Sequence, residues 1–225
     1  MTGGAVAANF PAMARPTTKV GHDCPRCPRL AAFRKTWRER EPIWFNAPVP
    51  SFGRLDARLL IVGLAPGLRG ANRTGRPFTG DFAGDLLYAT LKEYGFARGE
   101  FAARPDDTLE LVDARITNAV RCVPPENKPT PLEINTCREF LVPTIREMPK
   151  LRAIVVLGRI AHESAVKALN GKRSAAPFGH GALAELGALA LFSSYHCSRY
   201  NTNTGVLTPE MFRAVFAKVR DRLDG

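Results

Sequence analysis

The sequence predicts an α/β domain built on a mainly parallel sheet. Three observations carry this: four short apolar runs of strand length, helical periodicity in the segments between them, and turn-forming residues closing the runs. With 225 residues, 45% of them hydrophobic and 24% charged, the chain is long enough and apolar enough for one compact core.

Residues 1–19 are rich in Ala, Pro, Thr and Gly without a period, and read as a frayed or surface-lying arm before a single domain over residues 20–225. Over Leu30–Glu41 the spacing of Leu30, Phe33 and Trp37 suits one helical stripe, which Pro42 limits. Arg58–Gly63 ends in an apolar run and turns at Ala65-Pro66-Gly67, the pattern of a core strand feeding a loop. Leu86, Leu87, Thr90, Leu91 and Tyr94 fall on one face of a helix beginning near Asp81–Phe82.

Ala114–Val120 is the second strand, broken by Pro124-Pro125, and Ile134–Met148 is a helix that Pro143 should bend or reset. Ala153–Leu157 is the third strand, ended by Gly158 and followed by a helix over Ile160–Leu169. Leu189–Ser193 is the fourth. Thr208-Pro209-Glu210 then supplies a cap, a fixed first-turn angle and an early acidic charge for a final helix over Met211–Val219. In such a sheet, ligand sites form beyond the carboxyl ends of the strands.

The 32 Lys and Arg against 21 Asp and Glu leave a net charge of +11, a field that attracts polyanions, with nucleic acid the first partner to consider. A solvated basic surface is the plainer reading of the same excess. The longest apolar runs, Leu59–Leu64 and Leu186–Phe192, are too short to span a bilayer, and no basic segment followed by an apolar stretch opens the chain. A cytoplasmic location is expected.

Cysteine spacing is more specific. Cys24-Pro-Arg-Cys27 is a C-x2-C pair, and Cys122 and Cys137 form a second, wider pair. Four thiolates complete a tetrahedral zinc site or ligate a four-iron, four-sulfur cluster, and spacing alone leaves the two level. The fifth, Cys197, reads as a small buried side chain. Gly63-Leu-Ala-Pro-Gly67 and Gly70-Ala-Asn-Arg-Thr-Gly-Arg-Pro-Phe-Thr-Gly-Asp81 match neither a Walker loop nor a dinucleotide fingerprint. Their glycines permit close backbone approach, while Arg73, Arg76 and a following helix start attract negative charge; taken alone, a structural turn explains them as well.

Taken together, these segments with Thr117-Asn-Ala-Val-Arg-Cys122-Val-Pro-Pro, Cys137 and His196-Cys-Ser-Arg-Tyr-Asn201 resemble the uracil-DNA glycosylases, specifically the iron–sulfur-containing family 5, or B type, of bacteria and archaea. The resemblance runs from residue 24 to residue 201. It implies a three-layer α/β/α fold with a four-stranded parallel sheet, and a 4Fe-4S cluster on Cys24, Cys27, Cys122 and Cys137. It also implies a monofunctional hydrolase that flips uracil out of DNA and cuts its glycosidic bond. Hypoxanthine, ethenocytosine and hydroxymethyluracil are implied as further substrates, because Ala65 stands where many relatives carry a polar, water-activating residue.

On this resemblance, Phe78 stacks on the flipped base, Asn118 reads its Watson–Crick edge, and His196 and backbone amides near Ala65 stabilise the departing anion. Asp81 is the candidate for orienting water, and equally the acidic start of a helix. Arg73, Arg76, Ser198, Arg199, Tyr200 and Asn201 are the expected DNA contacts, with Arg199 or Tyr200 as wedge. Double-stranded and also single-stranded DNA are the expected partners of a monomeric enzyme. Two rivals explain part of the pattern: a zinc-stapled nucleic-acid-binding module without chemistry, and a hydrolase of free nucleotides. Neither accounts for the Gly63–Asp81 segment together with the His196 loop.

Overall fold

The computed structural model describes residues 19–225, so the expected arm over residues 1–19 lies almost wholly outside the described residues. In chain order the elements are α1 (Pro28–Arg40), β1 (Phe52–Gly53), β2 (Leu59–Gly63), α2 (Ala71–Thr74), α3 (Phe82–Glu93), β3 (Ala97–Arg98), β4 (Glu110–Leu111) and β5 (Ala114–Asn118). After a 3-10 turn at Pro125–Asn127 come α4 (Pro131–Arg146), β6 (Ala153–Leu157), α5 (Arg159–Ala168), β7 (Leu183–Leu186), β8 (Leu189–Ser194), α6 (Arg199–Asn203) and α7 (Pro209–Asp224).

The main sheet has the order β1-β5-β2-β6-β8-β7. Its four central strands are mutually parallel, and they are the four apolar runs of the sequence. The expected four-stranded sheet is thus six-stranded, because the short strands β1 and β7 pair antiparallel at its two edges. Their weak patterns explain why they were not legible: β1 has two residues, and β7 alternates between exposed and partly buried positions.

Alternation along the parallel strands builds the layers. Leu59, Ile61, Ile116 and Val155 point to one face, where they pack with Leu87 and Leu91 of α3 and Phe212, Phe216 and Val219 of α7. Leu60, Val62, Ile154 and Val156 point to the other, against Leu141 and Ile145 of α4 and Ala161 and Ala165 of α5. Both faces being covered explains why these strands read as continuous apolar runs.

Helix starts follow local chemistry. Thr208 Oγ1 accepts from the Met211 amide at 3.2 Å, and Thr130 with Glu133 forms a reciprocal capping box at the start of α4. Pro143 does not reset α4, which continues to Arg146. Phe140, Leu141, Thr144 and Ile145 around it are buried, and Thr144 Oγ1 donates to the Phe140 carbonyl at 2.7 Å, so packing outweighs one missing backbone bond. Among the described residues no helix is long and apolar enough to cross a membrane.

Candidate active site

The parallel strands deliver three segments to one end of the sheet: the loop after β2, Asn118 at the end of β5, and the loop after β8. Gly63 and Asn118 are register partners, so the first two segments leave the sheet side by side. There they open a cavity of about 710 Å³ lined by Ala65, Gly67, Arg69, Gly70, Phe78, Asp81, Phe82, Asn118, Asn127, His196, Ser198 and Arg199. The five residues expected to bind the base or act on it (Ala65, Phe78, Asp81, Asn118 and His196) all face this one space.

Phe78 and His196 come together although they lie 118 positions apart in sequence. Their ring centroids are 6.2 Å apart with planes inclined by 26°. That spacing is less than two aromatic contacts of about 3.5 Å each, so no planar group fits between the two rings. Phe78 holds a left-handed backbone, φ 56°. The Tyr88 hydroxyl donates to the Pro77 carbonyl at 2.7 Å, and Gly84 leaves room for the Phe78 carbonyl, which would stand 1.9 Å from any β-carbon there. Those contacts over-determine a conformation a phenylalanine rarely adopts.

Burial lowers the His196 imidazole to about 4, so it is neutral near pH 7 and offers one N–H donor. Its backbone is fixed by Asn201, whose side-chain amide donates to the His196 carbonyl at 2.8 Å. Asp81 starts helix α3 and also faces the cavity. Its Oδ1 caps α3 by accepting from the Gly84 amide at 3.1 Å, while Oδ2 lies beside Gly67 and Gly70 on the cavity wall. Water reaches this carboxylate, yet the surrounding walls strip part of its hydration and raise its pKa. The Asn118 side chain is buried at the cavity floor and makes no hydrogen bond to a protein group among the described residues, leaving an amide for a ligand.

The expected DNA contacts divide. Arg199 is exposed at the rim, its guanidinium over the Phe82 ring at 5.5 Å, and Tyr200 beside it is 74% exposed. Ser198 lines the cavity and caps the one-turn α6. Arg73 is exposed but borders the neighbouring cleft with Phe45 and Arg104. Arg76 is a correction: it is buried, forms two 2.7 Å hydrogen bonds to Asp107, and sits among the rings of Phe52, Tyr88 and Phe101. Its charge holds the Asp107 carboxyl far below the usual range, so Arg76 braces the Phe78 turn from inside and is unavailable to a phosphate.

Sequence reasoning missed Arg69, Phe82 and Asn127. Arg69 carried a signal, a cation between Gly67 and Gly70 in the same loop, and it has no acidic partner among the described residues. Asn127 carried none, since it reaches the rim only through the turn after Pro124, where Glu126 and Asn127 both have positive φ.

The four spaced cysteines meet elsewhere. Cys24, Cys27, Cys122 and Cys137 line one small pocket between α1, the loop after β5, and α4, packed with Leu30, Val120 and Phe140. Among the described residues no three His, Cys, Asp or Glu side chains converge as a single metal ion requires. Two sulfurs already accept hydrogen bonds, Cys122 from Arg34 at 3.3 Å and Cys137 from the Arg121 amide at 3.2 Å, as thiolate ligands do. The donor set fits a tetrathiolate centre. Cys197 is separate, fully buried, with its thiol on the Ala83 carbonyl at 3.5 Å.

Residues 50–220 match the model of the uracil DNA glycosylase superfamily. The chain is 46% identical over 209 residues to the type-5 uracil-DNA glycosylase of Thermus thermophilus, covering 90% of this chain and 94% of that protein. It is 38% identical to the type-5 enzyme of Pyrobaculum aerophilum, over 87% of each chain, and 35% identical to the type-4 enzyme of the same organism, over 68% of this chain and 63% of that one.

Proposed function

The chain belongs to the uracil-DNA glycosylase superfamily, hydrolases of N-glycosyl bonds, and from that premise we propose that it excises uracil from DNA and leaves an abasic site. The observation that carries this reading is the meeting of Phe78, Asn118, Asp81 and His196 in one cavity at the carboxyl end of the sheet.

The target nucleotide leaves the base stack and enters the cavity, where its ring lies on Phe78 and its polar edge meets the Asn118 amide. Arg69 and Arg199 at the rim attract flanking phosphates, and Arg199 or Tyr200 fills the vacated step. The Cys24, Cys27, Cys122 and Cys137 set holds a 4Fe-4S cluster, which when bound supplies a structural tie between α1 and the central domain.

As the glycosidic bond breaks, its electron pair moves onto the base and the sugar becomes a cation. Neutral His196 donates a hydrogen bond to the oxygen where the negative charge collects, and amides near Ala65 share that task. Asp81 orients a water that adds to the sugar carbon, and the proton released balances the anionic base. No lysine lines the cavity among the described residues, which supports hydrolysis without a covalent amine intermediate. Ala65 leaves the wall beside the base small and apolar, so hypoxanthine, ethenocytosine and hydroxymethyluracil are proposed as further substrates.

The test is release of base from duplex and single-stranded oligonucleotides carrying each lesion, with abasic sites revealed by alkali. The expected result is alkali-labile product from uracil-containing DNA. Absence of product from every lesion with metal-loaded protein removes the reading.

A further inference from the structure

Arg26, Arg34 and Arg121 line the cysteine pocket and Arg29 lies on the adjoining helix α1; the four differ in their partners. Arg26 pairs with Glu139, and Arg29 with Glu133 at 2.7 Å, both near the surface. Arg34 and Arg121 are 4% and 2% exposed, and neither has a carboxylate partner among the described residues. Arg34 spends its donors on Cys122 Sγ and the Cys24 carbonyl, and its Nε finds no acceptor. Arg121 donates to the Val49 carbonyl, Ser51 Oγ and Thr144 Oγ1, all neutral, while its own amide donates to Cys137 Sγ.

Burying a cation without a counter-charge is costly enough that folded proteins avoid it. Arginine cannot escape by losing its proton under physiological conditions. The missing negative charge must therefore come from the pocket both residues line. Four cysteine thiolates carry four negative charges, and a cubane core of charge +2 leaves a net −2. Two guanidinium groups balance that sum.

We infer that Arg34 and Arg121 are the built-in counter-charges of the tetrathiolate centre, positioning residues that stabilise its dianionic state. This rests on the proposed cluster. It follows that the apo form, lacking the negative charge of the centre, leaves both buried cations without a counter-charge. The two arginines thus make the fold depend on the loaded centre beyond the four sulfur–metal bonds.

The experiment uses the purified holoprotein and its Arg34→Met, Arg121→Met, Arg34→Lys and Arg121→Lys variants. Iron and sulfide content, visible absorbance, the rate of iron loss to a chelator, and the midpoint of the one-electron reduction of the cluster are measured. Loss of a positive charge should make addition of an electron harder, so each Met variant is expected to show a more negative midpoint and at least tenfold faster iron release, while the Lys variants move back toward wild type. Loaded Met variants with wild-type midpoint and iron retention would overturn the inference and leave the cluster assignment standing. Wild-type protein purified without iron or sulfide would overturn the cluster assignment, which is a different result. Should Arg121→Met fail to fold, Arg34→Met and its Lys rescue carry the same decision.

Discussion

Gly63 passes so close to Asn118 that a β-carbon on it would stand 2.5 Å from the Asn118 amide oxygen, and 2.7 Å from the Phe78 ring. One glycine at the end of a core strand therefore sets the position of two groups expected to hold the base. Its backbone is ordinary strand with no positive φ, so the requirement for glycine is one of space.

Gly63→Ala should accordingly leave the fold intact and displace Asn118 and Phe78 together. Single-turnover uracil release should fall by about 10²-fold, the scale on which small misplacements act on catalysis. An unchanged rate constant, with circular dichroism and melting like wild type, would mean that neither contact positions the substrate.

His196 is lowered from 6.5 to about 4 by burial, so the unfolded chain binds a proton that the folded one resists between those values. By linkage, the His196 contribution is fully present above about pH 6.5 and is lost as the pH falls toward 4. Wild type should lose melting temperature over that interval faster than His196→Asn, and the two profiles should run parallel from pH 7 to 8. Replacing His196 should also reduce the rate of base release by about 10²- to 10³-fold, as for loss of an anion-stabilising donor. Parallel melting profiles down to pH 4 would contradict the neutral imidazole.

Asp81 caps α3 and faces the cavity, and the two roles separate by choice of substitution. Asp81→Asn keeps a capping oxygen, whereas Asp81→Ala loses it at a cost of about 1 kcal/mol. Base release should fall in both, and stability chiefly in the alanine variant. Because the carboxyl pKa is raised from 3.8, wild-type release should decline on the acid side as Asp81 takes up its proton, and that limb should be absent from the asparagine variant. A persistent acid limb would assign it to another group.

Arg199 and Arg76 should behave as opposites. Arg199→Ala should weaken binding to DNA of any sequence and reduce the slope of log affinity against log salt by about one unit, with little change in melting. Arg76→Ala should leave the salt slope alone and destabilise the fold by about 3–5 kcal/mol, because it strands buried Asp107. Salt-titrated binding and denaturant unfolding of both variants check the contrast.

The four parallel strands, the capped final helix and the cysteine set were legible because each is written in local pattern: apolar runs, the Thr-Pro-Glu start, and C-x2-C spacing. Edge strands β1 and β7 were not, since their pairing depends on neighbours rather than on their own residues. Pro143 misled for a related reason. Its local penalty is real, and the buried neighbours that override it come from the fold.

The sequence by itself determined the inventory of groups: a phenylalanine, an asparagine, an aspartate and a histidine in glycine-rich or strand-end segments, four thiols, and an excess of cations. Only the tertiary structure decided how they were shared out. It turned Arg76 inward to Asp107 while leaving Arg69 and Arg199 at the rim, and it set two buried arginines against the cysteine pocket instead of against acids. The reason is that residue type fixes what a side chain can do, but burial and the sign of its neighbour's charge fix what it does. Both belong to contacts between segments far apart in the chain.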